Sequence, residues 1–242
     1  MLARFVSATS WSVFGSVLAN GISLVTTILV ARLLGKESFG HYIALQTTVV
    51  TAAAFSWFGV GYTATRYSAE LQRRDPARLG RILGLSQLIV GVVGVAATLS
   101  VIVASGWIAR SAFHAPEIAP ALAIAAAAIL FSSLDGLQKN ILIGLSEMRA
   151  FAWSSIAGVA LSAPLMVGLS YFHGLWGASF AIAAGALANC LVSWIWARSR
   201  LKKIGVRATL RGATQENHTL LNFALPSLLS GVMPAAGQWT VQ

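Results

Sequence analysis

Asp135 and Lys139 stand four residues apart, so on a helix they share a face and can neutralise each other. Around them, long uncharged stretches carry a few polar side chains: the amides of Asn20, Gln46, Gln138, Asn140 and Asn189, with Arg32 and Arg66 closing two of the stretches. An ionisable group in lipid is costly and usually faces a bundle interior or a wet cavity, so this pattern points to binding rather than bond-making. Two plainer roles compete with it. Asp135 and Lys139 can be a structural ion pair near the end of their helix, and the arginines can snorkel to headgroups.

Covalent chemistry finds little support. There are 7 acidic residues against 17 lysines and arginines, and no two acids lie closer than Glu70 and Asp75. A membrane glycosyl or phosphoglycosyl transferase would need an acidic cluster for a metal or a base. The single cysteine, Cys190, excludes an intrachain disulfide framework and any cysteine-rich metal site. His41, His114, His173 and His218 are scattered, with no two on one helical face, so neither a metal nor another cofactor is expected. Gly59-Val60-Gly61-Tyr62-Thr63-Ala64 fits a dinucleotide fingerprint on paper, but that motif must follow a strand and open a helix. Here it closes an apolar run, where small residues permit close packing, as do Gly80 with Gly84 and Ala181 with Gly185.

The elements that position these groups follow from composition. Of 242 residues 57% are hydrophobic and 10% charged, and the mean hydropathy is +0.74. A soluble domain has roughly a quarter charged residues, so this chain cannot coat a water-exposed globule. The net charge of +10 would suit nucleic acid if it formed one basic face, but the cations sit in short clusters between apolar runs. No nucleic-acid partner is expected.

Uncharged runs cover residues 5–31, 38–65, 82–109, 118–134 and 150–197, which are 27, 28, 28, 17 and 48 residues long, and a last run of 26 extends over 217–242. About 20 apolar residues cross a hydrocarbon core. The fourth run continues past Asp135, and the fifth is twice the length one span needs, so it should fold as a hairpin turning near His173-Gly174. Barrel strands are short and alternate in polarity, which these runs do not. The expected fold is all-α: a polytopic transmembrane helical bundle with six complete helices in residues 1–212 and the start of a seventh in 213–242. Pro116 and Pro120 mark the start of the fourth helix, while Pro164, Pro226 and Pro234 lie inside spans.

Assigning the N-terminus and alternate loops to one side gathers 14 of the 17 lysines and arginines there and leaves Arg32, Lys36 and Arg110 on the other. The positive-inside rule makes the richer side cytoplasmic, N-terminus included, with Trp107 and Trp176 at the outer interface and Trp11, Trp153, Trp194 and Trp196 at the inner one. Residues 1–30 are too long an apolar unit for a cleaved signal peptide. Asn217-His218-Thr219 fits a glycosylation sequon but falls on the cytoplasmic side, which rules it out. The two large basic clusters, over 66–81 and 198–211, are read as topology determinants; the competing reading is that they grip anionic headgroups of membrane lipids.

Four short motifs add a resemblance. Ala31-Arg32-Leu33-Leu34-Gly35, continuing to Phe39-Gly40-His41-Tyr42, resembles the junction between the first two helices of polysaccharide exporters in the multidrug/oligosaccharidyl-lipid/polysaccharide (MOP) flippase superfamily. Arg66-Tyr67-Ser68-Ala69-Glu70 is similar to the close of their second helix, Ile143-Gly144-Leu145 with Arg149 to the link between helices four and five, and Leu175-Trp176-Gly177-Ala178 to the start of helix six. Their order and spacing over about 210 residues give the likeness its specificity.

The resemblance implies the first bundle of a MATE-like fold, built of two six-helix bundles that rock around a central cavity. Asn222-Phe223-Ala224-Leu225-Pro226-Ser227 looks like the start of helix seven, so the sequence reads as a fragment without its second bundle. The implied function is flipping an undecaprenyl-diphosphate-linked oligosaccharide across the bacterial cytoplasmic (inner) membrane for O-antigen, capsule or exopolysaccharide assembly, alongside polysaccharide polymerase machinery. No bond need change, so no enzyme is expected. Such cargo asks for cations at the diphosphate and amides at the sugar, and the candidate cavity residues are Arg32, Arg66, Asn20, Gln46, Asp135 and Lys139. The competing expectations are a cation-coupled exporter of amphipathic small molecules, which would want an intramembrane carboxylate, and a non-transporting membrane remnant. Only Asp135 is near a span, and its expected place near the span's end weakens the first of these.

Overall fold

The computed structural model describes residues 2–206, and the expected seventh helix, with Pro226, Pro234 and the sequon at Asn217, lies outside them. The described residues form α1 (Leu2–Leu71), α2 (Pro76–Ser111), a single 3-10 turn (Pro116–Ile118), α3 (Ala119–Gly144) and α4 (Met148–Lys203), with no strand among them. By length and composition, three helical stretches can cross a membrane: Val13–Trp57, Pro76–Ser111 and Met148–Lys203. The bent segment Pro116–Gly144, whose two parts meet at 41°, makes a fourth if counted as one span. The protein is a multi-pass membrane protein.

At 1.5 Å per residue, a straight α4 of 56 residues would run to about 84 Å, far beyond a hydrocarbon core of about 30 Å. It does not run straight. Gly174 has φ 57° and ψ −134°, and Gly35 in α1 has φ 74° and ψ 173°. Both conformations are open to glycine and strained for residues with a Cβ. At each glycine the helix folds back on itself. Across the α4 turn, Gly158 rests against Asn189, Gly185 against Ser162, and Glu147 pairs with Arg200 at 3.5 Å. In α1, Val30 before the turn shares a core with Tyr42 and Leu45 after it. The expected turn near His173-Gly174 is therefore present.

Other boundaries have equally local causes. Asp75 caps α2 by accepting the Arg78 backbone N–H at 2.9 Å, and Pro76 follows where a first-turn N–H has no helical partner. Pro116 opens the 3-10 turn, and Pro120 sits in the first turn of α3. Pro164 lies within the first limb of α4.

Helix α3 touches α1, α2 and α4 and forms the spine, with Ala125, Ala126, Ala128 and Ile129 fully buried. One core cluster, around Val30, Leu45 and Ile129, lies toward the two glycine turns; another, around Leu79, Leu83, Ile141 and Leu201, lies toward the opposite end. Large apolar side chains point outward instead: Val17 is 66% exposed and Val103 86%. Small residues inside and large aliphatics outside is the arrangement a lipid solvent favours, because helices there gain from close backbone approach. Arg32, Lys36 and Arg110 lie at the end with the glycine turns, while Arg73, Arg74, Arg149 and the cations of the α4 C-terminus lie at the other.

Candidate substrate cavity

A cavity of about 280 Å³ opens among both limbs of α1, α3 and both limbs of α4. Its polar wall consists of Ser23, Thr26 and Thr27 from the first limb of α1, Tyr42 and Gln46 from the second, Ser132 and Asp135 from α3, and Ser162 and Asn189 from α4. Ser23, Thr26 and Thr27 reach it together because residues three and four apart share a helical face.

Asp135 is its charged lining residue, and it is tightly held. Lys139 donates to Oδ2 at 2.8 Å from one turn along α3, and the fully buried Ser193 hydroxyl of α4 donates to Oδ1 at 2.6 Å. The carboxylate side chain is 14% exposed and that of Lys139 24%. Both oxygens are thus engaged.

Three hydroxyls of the neutral wall direct their protons to their own backbone. Thr26 donates to the Ile22 carbonyl at 2.8 Å, Thr27 to Ser23 at 2.9 Å and Ser162 to Val159 at 3.2 Å. Asn189 Nδ2 donates to the Gly185 carbonyl at 2.8 Å, and Gln46 Oε1 is buried without a partner. A hydroxyl whose proton is engaged by its own backbone offers only lone pairs to a guest. Thr26, Thr27 and Ser162 thus present lone pairs, while Asn189 keeps a second Nδ2 hydrogen, so the wall can both accept from and donate to a polyol.

An apolar groove of about 790 Å³, lined by Phe14, Val17, Leu18, Val25, Pro164 and Val167, adjoins the cavity between the first limbs of α1 and α4. Thr26 and Ala163 belong to both.

Of the six candidates drawn from the sequence, Gln46 and Asp135 line this cavity and Lys139 reaches it through Asp135. The other three do not. Asn20 is exposed on α1, Arg32 is exposed three residues before the Gly35 turn, and Arg66 is exposed toward the far end of α1. Arg32 and Arg66 are thus placed outside this cavity, whose charged lining residue is Asp135. Asp135 is nine residues before the end of α3, about 13 Å along the helix axis. Ser23, Thr26, Thr27, Ser132, Ser162 and Ser193 were not singled out from the sequence. The i, i+3, i+4 spacing of the first three was a usable signal, whereas Ser193 meets Asp135 across 58 positions with no local cue.

Among the described residues no group of histidine, cysteine, aspartate and glutamate could hold a metal ion. In comparisons with known proteins, no curated sequence matches the chain. Its fold is similar to an outward-facing multidrug resistance MATE family transporter of the MOP superfamily, at TM-score 0.77 and 19% identity, covering 98% of this chain and 54% of that one. It is also similar to a MOP superfamily transporter from Pyrococcus furiosus, at TM-score 0.77, 18% identity and the same coverages. A MATE in complex with Br-NRF follows at TM-score 0.76 and 18% identity, with 98% and 57% covered. The chain spans about half the length of these solved transporters. The sequence matches a family model over residues 5–236, and the chain belongs to the polysaccharide biosynthesis protein family that this model describes.

Proposed function

We propose that the chain is the first bundle of an exporter that moves an undecaprenyl-diphosphate-linked oligosaccharide across the bacterial cytoplasmic membrane. In this reading the two limbs of α1, the two limbs of α4, α2 and α3 make six crossings, residues 213–242 begin the second bundle, and the N-terminus and the basic end face the cytoplasm. The family supports export of polysaccharide material, and the observation that carries the reading further is the joining of a polar cavity to an apolar groove through Thr26 and Ala163. Sugar hydroxyls would donate to the cavity wall, and a prenyl tail would occupy the groove. A volume of about 280 Å³ holds little more than one or two sugar units, so the rest of the glycan and its diphosphate would pass between this bundle and a second one. Transport by rocking of bundles needs no nucleophile, and the chain is read as a transporter rather than an enzyme. Polysaccharide polymerase machinery would take the delivered product.

One observation favours a second reading, a cation-coupled exporter of amphipathic small molecules: Asp135 stands in the cavity wall, well inside its helix. The two readings separate in one strain. Complementation of a flippase-null bacterium with the complete gene should restore surface glycan, and Gln46→Leu with Ser162→Ala should reduce it several-fold at unchanged protein level. Failure to restore glycan, together with raised resistance to lipophilic cations that Asp135→Asn abolishes, would sink the flippase reading in favour of the second.

A further inference from the structure

The end of the bundle opposite the glycine turns carries a second polar recess that neither reading uses. It has a volume of about 580 Å³ and is lined by Gln87 of α2, Gln138 of α3, and Trp194, Arg198, Leu201 and Lys202 of α4, with Val206 beyond the helix. Leu201 and Val206 form its floor, 6% and 3% exposed, and the two cations stand on its rim.

Three features point to a ligand. First, the Arg198 guanidinium lies 4.8 Å from the centre of the Trp194 ring, so its charge is oriented by an aromatic face. Among the described residues neither Arg198 nor Lys202 has a carboxylate partner, whereas Arg200, two positions away, pairs with Glu147. Second, Gln138 is a polar residue only 4% exposed that lines this recess from α3. Third, Gln87 supplies another amide from the facing helix. Two cations and two amides can all donate, and the group that accepts from several donors at once and carries negative charge is a phosphate. The 41% exposed indole of Trp194 places the recess where a membrane-embedded surface meets the headgroup region.

We infer that the Gln87, Gln138, Arg198 and Lys202 recess binds the phosphate of an anionic lipid headgroup, with Gln138 as the donor at its base and Arg198, held over Trp194, as the charge at its rim. This site is separate from the transport cavity: the two share no lining residue. Its function would be to fix the basic end of α4 against the lipid surface.

Native mass spectrometry of the full chain, titrated with phosphatidylglycerol or phosphatidylcholine in detergent, tests the inference. The wild type should retain one phosphatidylglycerol at about tenfold lower concentration than phosphatidylcholine. Arg198→Gln with Lys202→Gln should remove that preference, and Gln138→Glu, which keeps the shape but points a carboxylate into the recess, should weaken it at least tenfold. Arg73→Gln with Arg74→Gln removes equal charge from the same end and should leave retention within twofold. Loss of the same size in this control, or retention unchanged in the first two variants, overturns the site. Competition with inorganic phosphate identifies the source: displacement at millimolar levels means that the phosphate group alone suffices, and resistance means that the lipid body contributes. Thermal unfolding of each variant confirms that it folds.

Discussion

Helices α1 and α4 solve the same problem in the same way and yet do different work. Each is too long for one crossing and folds back at a glycine in a conformation closed to other residues. In an apolar 18-residue segment of the crossing stretch of α1 only 17% of residues are buried, against 39% in such a segment of α4. The difference lies in side-chain size. The limbs of α4 meet through Gly158, Ser162, Ala181 and Gly185, so their backbones approach closely. The first limb of α1 carries Val13, Phe14, Val17 and Leu24 outward and encloses the cavity with only a polar strip. One hairpin is a strut packed along both limbs; in the other, the first limb is a wall, seated against Ala152 of α4 at Gly15 and open beyond it to the cavity and the apolar groove.

The largest expected effect contrasts equivalent glycines. A side chain at Gly158 would collide with Asn189, while one at Gly21 in the first limb of α1 meets nothing within 4 Å. Gly158→Leu should therefore destabilise by about 3 kcal/mol or more through overpacking. Gly21→Leu should be neutral or stabilise by up to about 1 kcal/mol, because leucine favours helix over glycine. Tryptophan fluorescence during thermal unfolding in detergent reads both; equal losses would refute the strut and wall distinction. Next come the turns themselves. Alanine at Gly35 or Gly174 meets no atom within 4 Å, so Gly35→Ala and Gly174→Ala isolate backbone strain, about 1–3 kcal/mol each. A loss confined to Gly174→Ala would mean that the α1 hairpin forms without its glycine.

How α3 is clasped sharpens the same comparison. From α4, Ser193 donates to the charged Asp135 at 2.6 Å; from α1, the Thr65 hydroxyl lies 3.0 Å from the neutral Asn140 carbonyl. Hydrogen bonds to ionised groups contribute about 1.5–3 kcal/mol and neutral ones about 1. Ser193→Ala should thus lower the unfolding midpoint about twice as far as Thr65→Val. The reverse order would show that Lys139 alone satisfies the carboxylate.

These elements differ in how well they could be read from the residues alone. The α4 turn was legible because 48 uncharged residues exceed one crossing, and the start of α3 because Pro116 and Pro120 stand where a first turn tolerates proline. The partners of Asp135 were legible only in part: Lys139 stands one turn away, whereas Ser193 meets the carboxylate across 58 positions. Nor could Arg32 and Arg66 be placed. Chain position puts them near helix ends, but which way they face depends on how the limbs rotate against α3, a property of tertiary packing. The polar lining of the cavity is also tertiary: single serines and threonines are unremarkable until five segments turn them toward one space.

The smallest expected effect lies where α3 hands over to α4, and it runs in the stabilising direction. The last carbonyls of α3 are closed by the Ser146 N–H to Ile143 at 2.9 Å and the Glu147 N–H to Leu142 at 3.0 Å, a helix-ending pattern that places Ser146 at φ 58°. Glycine is the residue that pattern prefers, because any Cβ there is crowded at a cost of about 1 kcal/mol. Ser146→Gly relieves that crowding but gives the unfolded chain more freedom, which offsets part of the gain. A net stabilisation of about 0.5 kcal/mol should result, a rise of about 1–2 °C for a chain of this size. Because Ser146 donates through its backbone N–H, which glycine keeps, the bond pattern survives. A fall in the midpoint would instead mean that the serine hydroxyl contributes to the junction, and that the link between spine and strut is held by more than its backbone.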